Sequence, residues 1–215
     1  MRAARFQTSA GIKRTASPPT GITRLRRLVE LLFAIAIGLV SGLGSAWYMV
    51  GEGWLLKTNV IREWAAWTIG THQDADPYSR AVLARTGQVP LAPGEGIAFF
   101  ASKDGSGHLI RGGCDYEVTG LVPPVRLWTL SLVDVAGDLP ANKIERTFMR
   151  SDEVLKDETG RFTITLSSEA RSGNWFPAPD HGAYTLILRL YDTPPSLLAD
   201  LKDGALPVIE RKGCQ

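Results

Sequence analysis

The most prominent feature of the hydrophobic pattern is a run without a single charge over residues 31–51. A helix rises about 1.5 Å per residue, so a run of this length crosses a hydrocarbon core of about 30 Å. The pattern therefore predicts one transmembrane helix, residues 30–51. Trp47 and Tyr48 lie at its far end, where amphipathic rings favour the headgroup layer.

A cleaved signal peptide is the alternative interpretation of this run, with Gly44 and Ala46 as the small residues before the cut. Signal sequences usually have apolar regions of about 7–15 residues, which is shorter than this run. The run also ends in the bulky sequence Trp-Tyr-Met. Its length and its ending favour a retained anchor, and membrane lipid is then the first partner, contacted through residues 30–51.

Small residues recur every fourth position along the predicted anchor and share one helix face. Such a ridge lets a second helix approach closely and predicts a homodimer. The alternative is that glycine and alanine are simply frequent in membrane helices. The ridge consists of Ala34, Gly38, Gly42 and Ala46.

Helical spacing continues after the anchor, between Asn59 as a cap and Gly70 as a stop signal. Residues 52–73 are therefore predicted to form a juxtamembrane helical linker, which either lies along the membrane surface or packs on the domain that follows. A second short helix is predicted from Asp76-Pro77 to residue 85, because Asp caps helices and Pro suits the first helical position. The apolar residues of the linker are Val60, Ile61, Trp64, Trp67 and Ile69.

From Gly96 onward the apolar period becomes two, which is typical of strands with one buried face. Residues 125–134 carry apolar side chains on both faces and predict a central strand. A short helix is predicted from Leu197 to residue 203, ahead of Gly204. Strands are predicted over residues 97–101, 108–118, 125–134, 147–150, 161–167, 183–191 and 207–211.

These elements predict a mainly β fold, a β-sandwich with jelly-roll-like character, preceded by one transmembrane helix and short helices. The sandwich domain is placed at residues 74–215. Residues 1–29 are predicted to be a disordered basic arm.

The charge is distributed unevenly along the chain. Seven Lys or Arg residues and no acidic residue precede Glu30, whereas residues 51–215 hold 17 basic and 21 acidic residues, a net −4. Because basic segments next to an anchor stay in the cytoplasm, the arm is predicted inside and the β domain in the periplasm. An acidic domain without a basic patch also argues against nucleic acid as a partner.

Only two cysteines occur, Cys114 and Cys214, and both fall on the side predicted to be oxidising. They predict a disulfide, with two unpaired thiols as the alternative. No Cys-x-x-Cys pair is present, which argues against a redox or zinc role.

The chain also lacks the spacings of nucleophile elbows, phosphate loops and zinc peptidases. No metal or cofactor is expected, and His72, His108 and His181 are interpreted as ordinary surface residues.

The densest unusual segment is Asn-Trp-Phe-Pro-Ala-Pro at residues 174–179, predicted as a stiff loop between two strands. It is interpreted either as the wall of a ligand cleft or as a rigid corner in which Asn174 holds the turn. The candidate ligand-binding residues, on this loop and on the strands at 125–134 and 183–191, are Trp128, Asp134, Asn174, Trp175, Arg189 and Tyr191.

Four segments together resemble the bacterial domain of unknown function 1214, over residues 70–211. They are residues 75–81, the strand at 126–134, the loop at 174–179 and Leu-Arg-Leu-Tyr at 188–191. The resemblance implies a β-sandwich and no established activity, and it implies that several of the candidate residues, with Pro177 and Pro179, hold motif positions. Family members commonly carry a second domain, of unknown function 1254, where this chain has its anchor.

Two functions follow as hypotheses. The first is a single-pass protein of the inner membrane with a periplasmic interaction module, for which a separately encoded domain of unknown function 1254 is a candidate partner. The alternative is an envelope hydrolase or carbohydrate-binding module with a cleft near residues 174–179. Whether the protein is an enzyme is left open by the sequence.

Overall fold

The computed structural model describes residues 21–52, 59–66, 77–86, 91–92, 94–142, 144–194, 196–197, 201–202 and 204–214. The chain divides into two compact units, residues 1–47 and 48–215. Most of the apolar helix belongs to the first unit, and every described strand belongs to the second, which we call the β body. Asp76, His72 and the end of the predicted linker, from Trp67, lie outside the described residues.

The apolar run forms helix α1, Gly21–Glu52. Its stretch Arg24–Met49 has a mean hydropathy of 2.0, and none of that stretch is buried, so α1 is long and apolar enough to cross a membrane. The helix begins earlier than expected, since residues 21–29 were assigned to the disordered arm. Arg and Leu are good helix formers, and Arg26 pairs with Glu30 one turn later at 2.8 Å, which extends the helix.

The predicted linker helix is wrong over residues 59–66, where the chain forms a hairpin of strands β1 (Asn59–Ile61) and β2 (Trp64–Ala66). Val60 and Ile61 are β-branched and suit a strand. Trp64 is fully buried, and its Nε1 donates to the carbonyl oxygen of Pro207 at 2.7 Å. Tertiary burial of this indole therefore outweighs the helical spacing.

The second predicted helix is confirmed as α2, Pro77–Thr86, with proline at its first position. For the helix predicted near residue 200, one helical turn is present, from the Leu201 N–H to the Leu197 carbonyl at 3.0 Å. Residues 198–200 and 203 lie outside the described part of the chain.

The remaining strands form two sheets with β1 and β2, in the orders β1-β2-β3-β9-β5-β6 and β10-β4-β7-β8. All pairings are antiparallel except that of β7 with β8, which is parallel. The two sheets confirm a mainly β fold. The strands are β3 Gly96–Ala101, β4 Cys114–Gly120, β5 Leu127–Asp134, β6 Phe148–Arg150, β7 Phe162–Ser167, β8 Asn174–Pro177, β9 Tyr184–Tyr191 and β10 Val208–Cys214.

Two regions differ most from the predicted strands. The strand predicted over residues 108–118 begins only at Cys114, because a Cβ on Gly112 would lie 2.5 Å from the Pro179 carbonyl oxygen and Gly113 has a φ of 76°. The backbone at these two glycines lies too close to the neighbouring loop, and has too unusual a conformation, to continue the hydrogen-bonded ladder of β4. Residues 174–177, predicted as loop, form β8, whose edge position tolerates Pro177.

One apolar core lies between the sheets and draws side chains from both. The rings of Trp128 on β5 and Phe162 on β7 stack at 4.8 Å between centroids, and Tyr116 meets Tyr184 edge-on at 6.4 Å. The predicted alternation in β7 and β9 is confirmed. Its buried residues are Phe162, Ile164, Leu166, Tyr184, Leu186, Leu188 and Leu190.

The predicted disulfide between Cys114 and Cys214 is confirmed. The two residues lie directly opposite each other on β4 and β10, so the bond fixes the end of the last strand. It closes a loop with a sequence separation of 100 residues, for which the chain-entropy model gives about 4.7 kcal/mol of stabilisation.

We expect Cys114→Ser with Cys214→Ser to lower the free energy of unfolding of the β body by about 2–5 kcal/mol, because the unfolded chain regains its loop entropy. Urea denaturation followed by tryptophan fluorescence measures this loss. Reduction should change the gel mobility of the wild type and leave that of the variant unchanged. Equal stability of the two proteins would contradict the prediction.

Candidate functional site

An open depression lies beside β8 and consists of two cavities of about 460 and 230 Å³ that share Leu155, Gly173 and Asn174. We call it the Asn174 depression. The larger cavity is also lined by Lys156, Asp157, Arg161, Phe162, Thr163, Thr165 and Ser172. The smaller one is also lined by Arg146, Met149, Glu153, Arg171 and Trp175.

The side-chain amide of Asn174 ties β8 to β7 and to the chain that precedes β7. Its Oδ1 accepts from the Leu155 N–H at 2.7 Å, and its Nδ2 donates to the carbonyl oxygens of Leu155 at 2.8 Å and Thr163 at 2.9 Å. Both donors of the amide are therefore in use. This geometry is that of a residue holding a corner, one of the two interpretations of the sequence.

Trp175 presents its ring to the smaller cavity while its Nε1 is occupied. The Nε1 donates to the Ser167 carbonyl oxygen at 2.9 Å, and the same oxygen accepts from the Ala178 N–H at 3.0 Å. The indole is half-buried. What it offers at the depression is apolar ring surface rather than a hydrogen bond.

The arginines at this rim are paired with carboxylates. Arg146 lies 2.9 Å from Glu153, and Arg171 lies 2.8 Å from Asp115. Burial alone would raise the pKa of Asp115, but hydrogen bonds from Ser167 and Arg171, with the charge of Arg171, outweigh it and lower that pKa. These pairs leave the smaller cavity with little free charge.

Asp157 forms the turn at the other end of the depression. Its Oδ1 accepts from the Thr159 hydroxyl at 2.6 Å and from the N–H groups of Thr159 and Arg161, both at 2.9 Å. The hydroxyl bond, together with these backbone bonds, lowers the pKa of Asp157. The carboxylate is thus engaged in its own turn.

The other candidate residues lie away from this depression. Trp128 is a core residue, 2% exposed, stacked on Phe162. Asp134 caps the turn after β5, where its Oδ1 accepts from the N–H groups of Ala136 at 2.8 Å and Asp138 at 2.9 Å.

Arg189 and Tyr191 lie on β9 in the six-stranded sheet, whereas Asn174 and Trp175 lie in the four-stranded sheet. Arg189 donates from Nη1 to the Ser131 hydroxyl at 3.1 Å. The candidate residues therefore fall into separate groups, and only Asn174 and Trp175 meet at the depression.

One charged pair with a buried carboxylate was missed by sequence reasoning. The Asp104 side chain is 2% exposed and lies 2.8 Å from Arg211 on β10. Its Oδ1 accepts from the N–H groups of Ser106 and His108, both at 3.0 Å, and Arg211 also lies over the Tyr116 ring, 5.7 Å from its centroid. The sequence Asp-Gly-Ser-Gly signals only a turn, and no local pattern connects it to the last strand.

Among the described residues, no group of three or more His, Cys, Asp or Glu residues could hold a metal ion. His108 uses its backbone N–H in the Asp104 turn, and the side chain of His181 is exposed on the loop before β9.

The described part of the protein is thus a disulfide-bonded β-sandwich preceded by an apolar helix. Residues 95–195, most of the β body, match the family model described as "Protein of unknown function (DUF1214)". This match confirms the resemblance to DUF1214 that the motifs indicated.

Two solved structures resemble the chain. The VPA0106 protein from Vibrio parahaemolyticus superposes with a TM-score of 0.55 at 20% identity, over 94% of this chain and 48% of that one. An uncharacterized protein from Burkholderia cenocepacia gives a TM-score of 0.43 at 17% identity, over 94% of this chain and 46% of that one. This chain thus spans about half the length of either protein. No curated protein matches it.

We expect Asn174→Asp to lower the free energy of unfolding by about 1–3 kcal/mol, because a carboxylate cannot donate to the carbonyls of Leu155 and Thr163. Urea denaturation measures the change. Ser172→Ala, which alters the lining of the same depression, is the matched control and should change stability by less than about 0.5 kcal/mol. Equal effects of the two substitutions would contradict the corner-holding role.

We expect the ionisation of Asp115 to make the free energy of unfolding depend on pH in the acidic range. Its pKa is lowered from an ordinary value of 3.8, so its ion pair stabilises the fold above that pH and loses its effect as pH falls through the lower folded value. The stability difference between the wild type and Asp115→Asn should therefore shrink between about pH 5 and pH 2. Glu158→Gln is the control, and a difference independent of pH would contradict the prediction.

Proposed function

We propose that this protein is a single-pass protein of the bacterial inner membrane, with its β body in the periplasm acting as an interaction module for a partner protein. The observation that carries this proposal is an apolar helix with none of its surface buried, on the same chain as a disulfide-bonded domain. Neither feature suits a protein kept in a reducing, aqueous compartment.

The case for an anchor is energetic. Phe33, Val40 and Leu43 are 67%, 74% and 69% exposed, and each would gain about 1.5–3 kcal/mol on transfer out of water. The hydroxyl of Ser41 donates to the Ile37 carbonyl at 2.8 Å and that of Ser45 to the Gly42 carbonyl at 2.9 Å, so both serine hydroxyls of the apolar stretch are satisfied within the helix. Lipid is the environment that such a helix fits.

The orientation follows from charge and redox chemistry. The basic arm before Glu30 favours the cytoplasm, and the disulfide favours an oxidising compartment for the β body. Both arguments lead to the same topology, although they rest on different residues.

A partner protein is supported by the surface around β6. This three-residue strand is the edge of the six-stranded sheet, and four large apolar residues are exposed here, three on the connection leading to β6 and one on β6 itself. Val135 is 85% exposed, Leu139 56%, and Ile144 and Phe148 50% each. We call these four residues the β6 surface. Exposed apolar groups beside an unpaired sheet edge favour protein contacts.

The partner that fits is a separately encoded domain, such as the domain of unknown function 1254. The similar chain from Vibrio parahaemolyticus is about twice as long as this one. A second contact is proposed between two anchors through Ala34, Gly38, Gly42 and Ala46. A Cβ added to Gly38 or Gly42 would meet nothing within 4 Å, so this ridge is open to another helix.

A carbohydrate-binding module or hydrolase using the Asn174 depression is the second candidate. The exposed ring surface of Trp175 in a cavity of about 230 Å³ favours it, since aromatic faces stack on sugars. It has less support because the Asn174 amide and the Trp175 Nε1 already bond to backbone groups.

The test uses the full chain with an affinity tag at its carboxyl end, purified from bacterial membranes in a mild non-ionic detergent. We expect a stoichiometric partner that is lost in Leu139→Asp with Phe148→Asp, because a charge at the β6 surface opposes burial. Leu121→Asp, which places a charge at an exposed apolar residue outside that surface, should retain the partner. A monomer without partner would overturn the interaction role.

Topology is measured separately with reporters at the same end of the chain. A phosphatase fusion should be active, and a reporter that fluoresces only in the cytoplasm should stay dark. The reverse result, or a β body resistant to protease added to spheroplasts, would overturn the proposed location.

A further inference from the structure

The lining of the Asn174 depression carries more positive than negative charge, although the β body as a whole is acidic. Four of its lining residues are cations and two are carboxylates, whereas residues 51–215 have a net charge of −4. Arg146 and Arg171 belong to the ion pairs described above. The larger cavity is therefore distinguished by its own two cations, Lys156 and Arg161.

A tight turn brings Lys156 and Arg161 to the same cavity. Lys156 pairs with Phe162 in an antiparallel bridge, and the Asp157 N–H donates to the Arg161 carbonyl oxygen at 2.9 Å, so the chain doubles back here. The side chain of Asp157 stabilises the turn through the bonds of its Oδ1 to Thr159 and to the Arg161 N–H. With this one carboxylate counted, the lining of the larger cavity keeps a net positive charge.

A hydroxyl and an aromatic ring lie side by side where the two cavities meet. Thr165 on β7 and Trp175 on β8 are paired in the parallel ladder, and both are half-buried. The next pair, Leu166 and Phe176, is buried in the core, so Thr165 and Trp175 point outward. Thr165 lines the larger cavity and Trp175 the smaller one.

Leu155 adds apolar surface to both cavities. Its side chain is 71% exposed, while its N–H and its carbonyl oxygen are both bonded to the Asn174 amide. A large apolar side chain is thus presented to solvent from a backbone that is fixed on both sides. The Asn174 amide therefore positions the lining, although it has no donor left for a ligand.

These groups combine three kinds of recognition. The face of an indole stacks on the ring of a sugar, and the hydroxyls of Thr165 and Ser172 both donate and accept, as sugar hydroxyls do. The fork of an arginine matches a carboxylate with two parallel hydrogen bonds, and a lysine adds a point charge. The larger cavity, of about 460 Å³, has the size of an ordinary ligand pocket. A neutral sugar would leave its two cations unused.

We propose that the Asn174 depression binds a saccharide that carries a carboxylate, such as a chain of uronic acids. One sugar ring lies on Trp175 and Leu155, and the carboxylate is bound by Lys156 and Arg161. This inference rests on the second candidate function, a saccharide site at this depression, and it names the ligand class. It depends neither on the anchor nor on a partner at the β6 surface.

The test is isothermal titration of the full chain with trigalacturonate and with the neutral cellotriose. The detergent is a polyoxyethylene ether, because its headgroup contains no sugar that could compete. We expect saturable binding of trigalacturonate at one site per chain, and binding of cellotriose weaker by about tenfold or more, since two charge contacts are missing. Sodium sulfate, which supplies charge without a sugar ring, should not saturate the site.

The variants separate the charge from the ring. Lys156→Gln with Arg161→Gln should weaken trigalacturonate by about tenfold and leave cellotriose unchanged. Lys103→Gln with Lys202→Gln removes the same charge from exposed positions outside the depression, so it is the matched control and should bind as the wild type does. Trp175→Leu should weaken both saccharides by about three- to tenfold, because the flat ring face is lost.

The outcomes distinguish this inference from the function on which it rests. Equal binding of the two saccharides, or equal loss in the two double variants, would overturn the carboxylate site and leave a saccharide module. Binding of neither saccharide would overturn both. Saturation by sulfate as tight as that by trigalacturonate would reduce the site to one for simple anions and overturn the proposal. Circular dichroism checks the fold of each variant, and the charge variants, which change only exposed side chains, decide the proposal if Trp175→Leu does not fold.

Discussion

The two sheets of the β body are held together by one apolar core, and the contact between Trp128 and Phe162 lies within it. Phe162 begins β7 and Trp128 lies near the start of β5, so their stacking fixes how one sheet sits on the other. This packing determines which residues of each sheet face outward. Because the core uses one side of each strand, the alternate residues face outward, and these include Arg189 on one sheet and Thr163 and Thr165 at the Asn174 depression on the other.

Period-two alternation was a reliable guide to the strands because burial of one face is a property of consecutive residues. β7 and β9 follow their patterns closely. The hairpin at residues 59–66 was not predictable in this way, since its strands have three residues each and its Trp64 is stabilised by contact with a residue 143 positions further on. No window of local sequence contains that contact. The parallel pairing of β8 was missed for a related reason, because a four-residue strand ending in proline looks like a loop.

The candidate site was harder to predict than the fold. The sequence grouped Asn174 and Arg189 because both stood out near well-formed strands, yet they belong to different sheets. Residue type did single out side chains with unusual hydrogen bonding. Asn174 makes three bonds to backbone groups, and among the described residues Arg189 bonds to the Ser131 hydroxyl and not to a carboxylate. What sequence could not supply was which strands are neighbours in space. The Asp104–Arg211 pair shows the same limit, as its members come from a turn and from the last strand.

The hairpin of β1 and β2 has a mechanical consequence. It is the first described element after α1, it pairs with β3 in one sheet, and Trp64 bonds to the residue just before β10 in the other. The Glu63 carboxylate also accepts the N–H of Ile209 in β10, at 3.4 Å. A pull exerted on the domain through the chain that precedes this hairpin would therefore be shared by both sheets at once, and the disulfide would keep the far end of β10 from peeling away under that load.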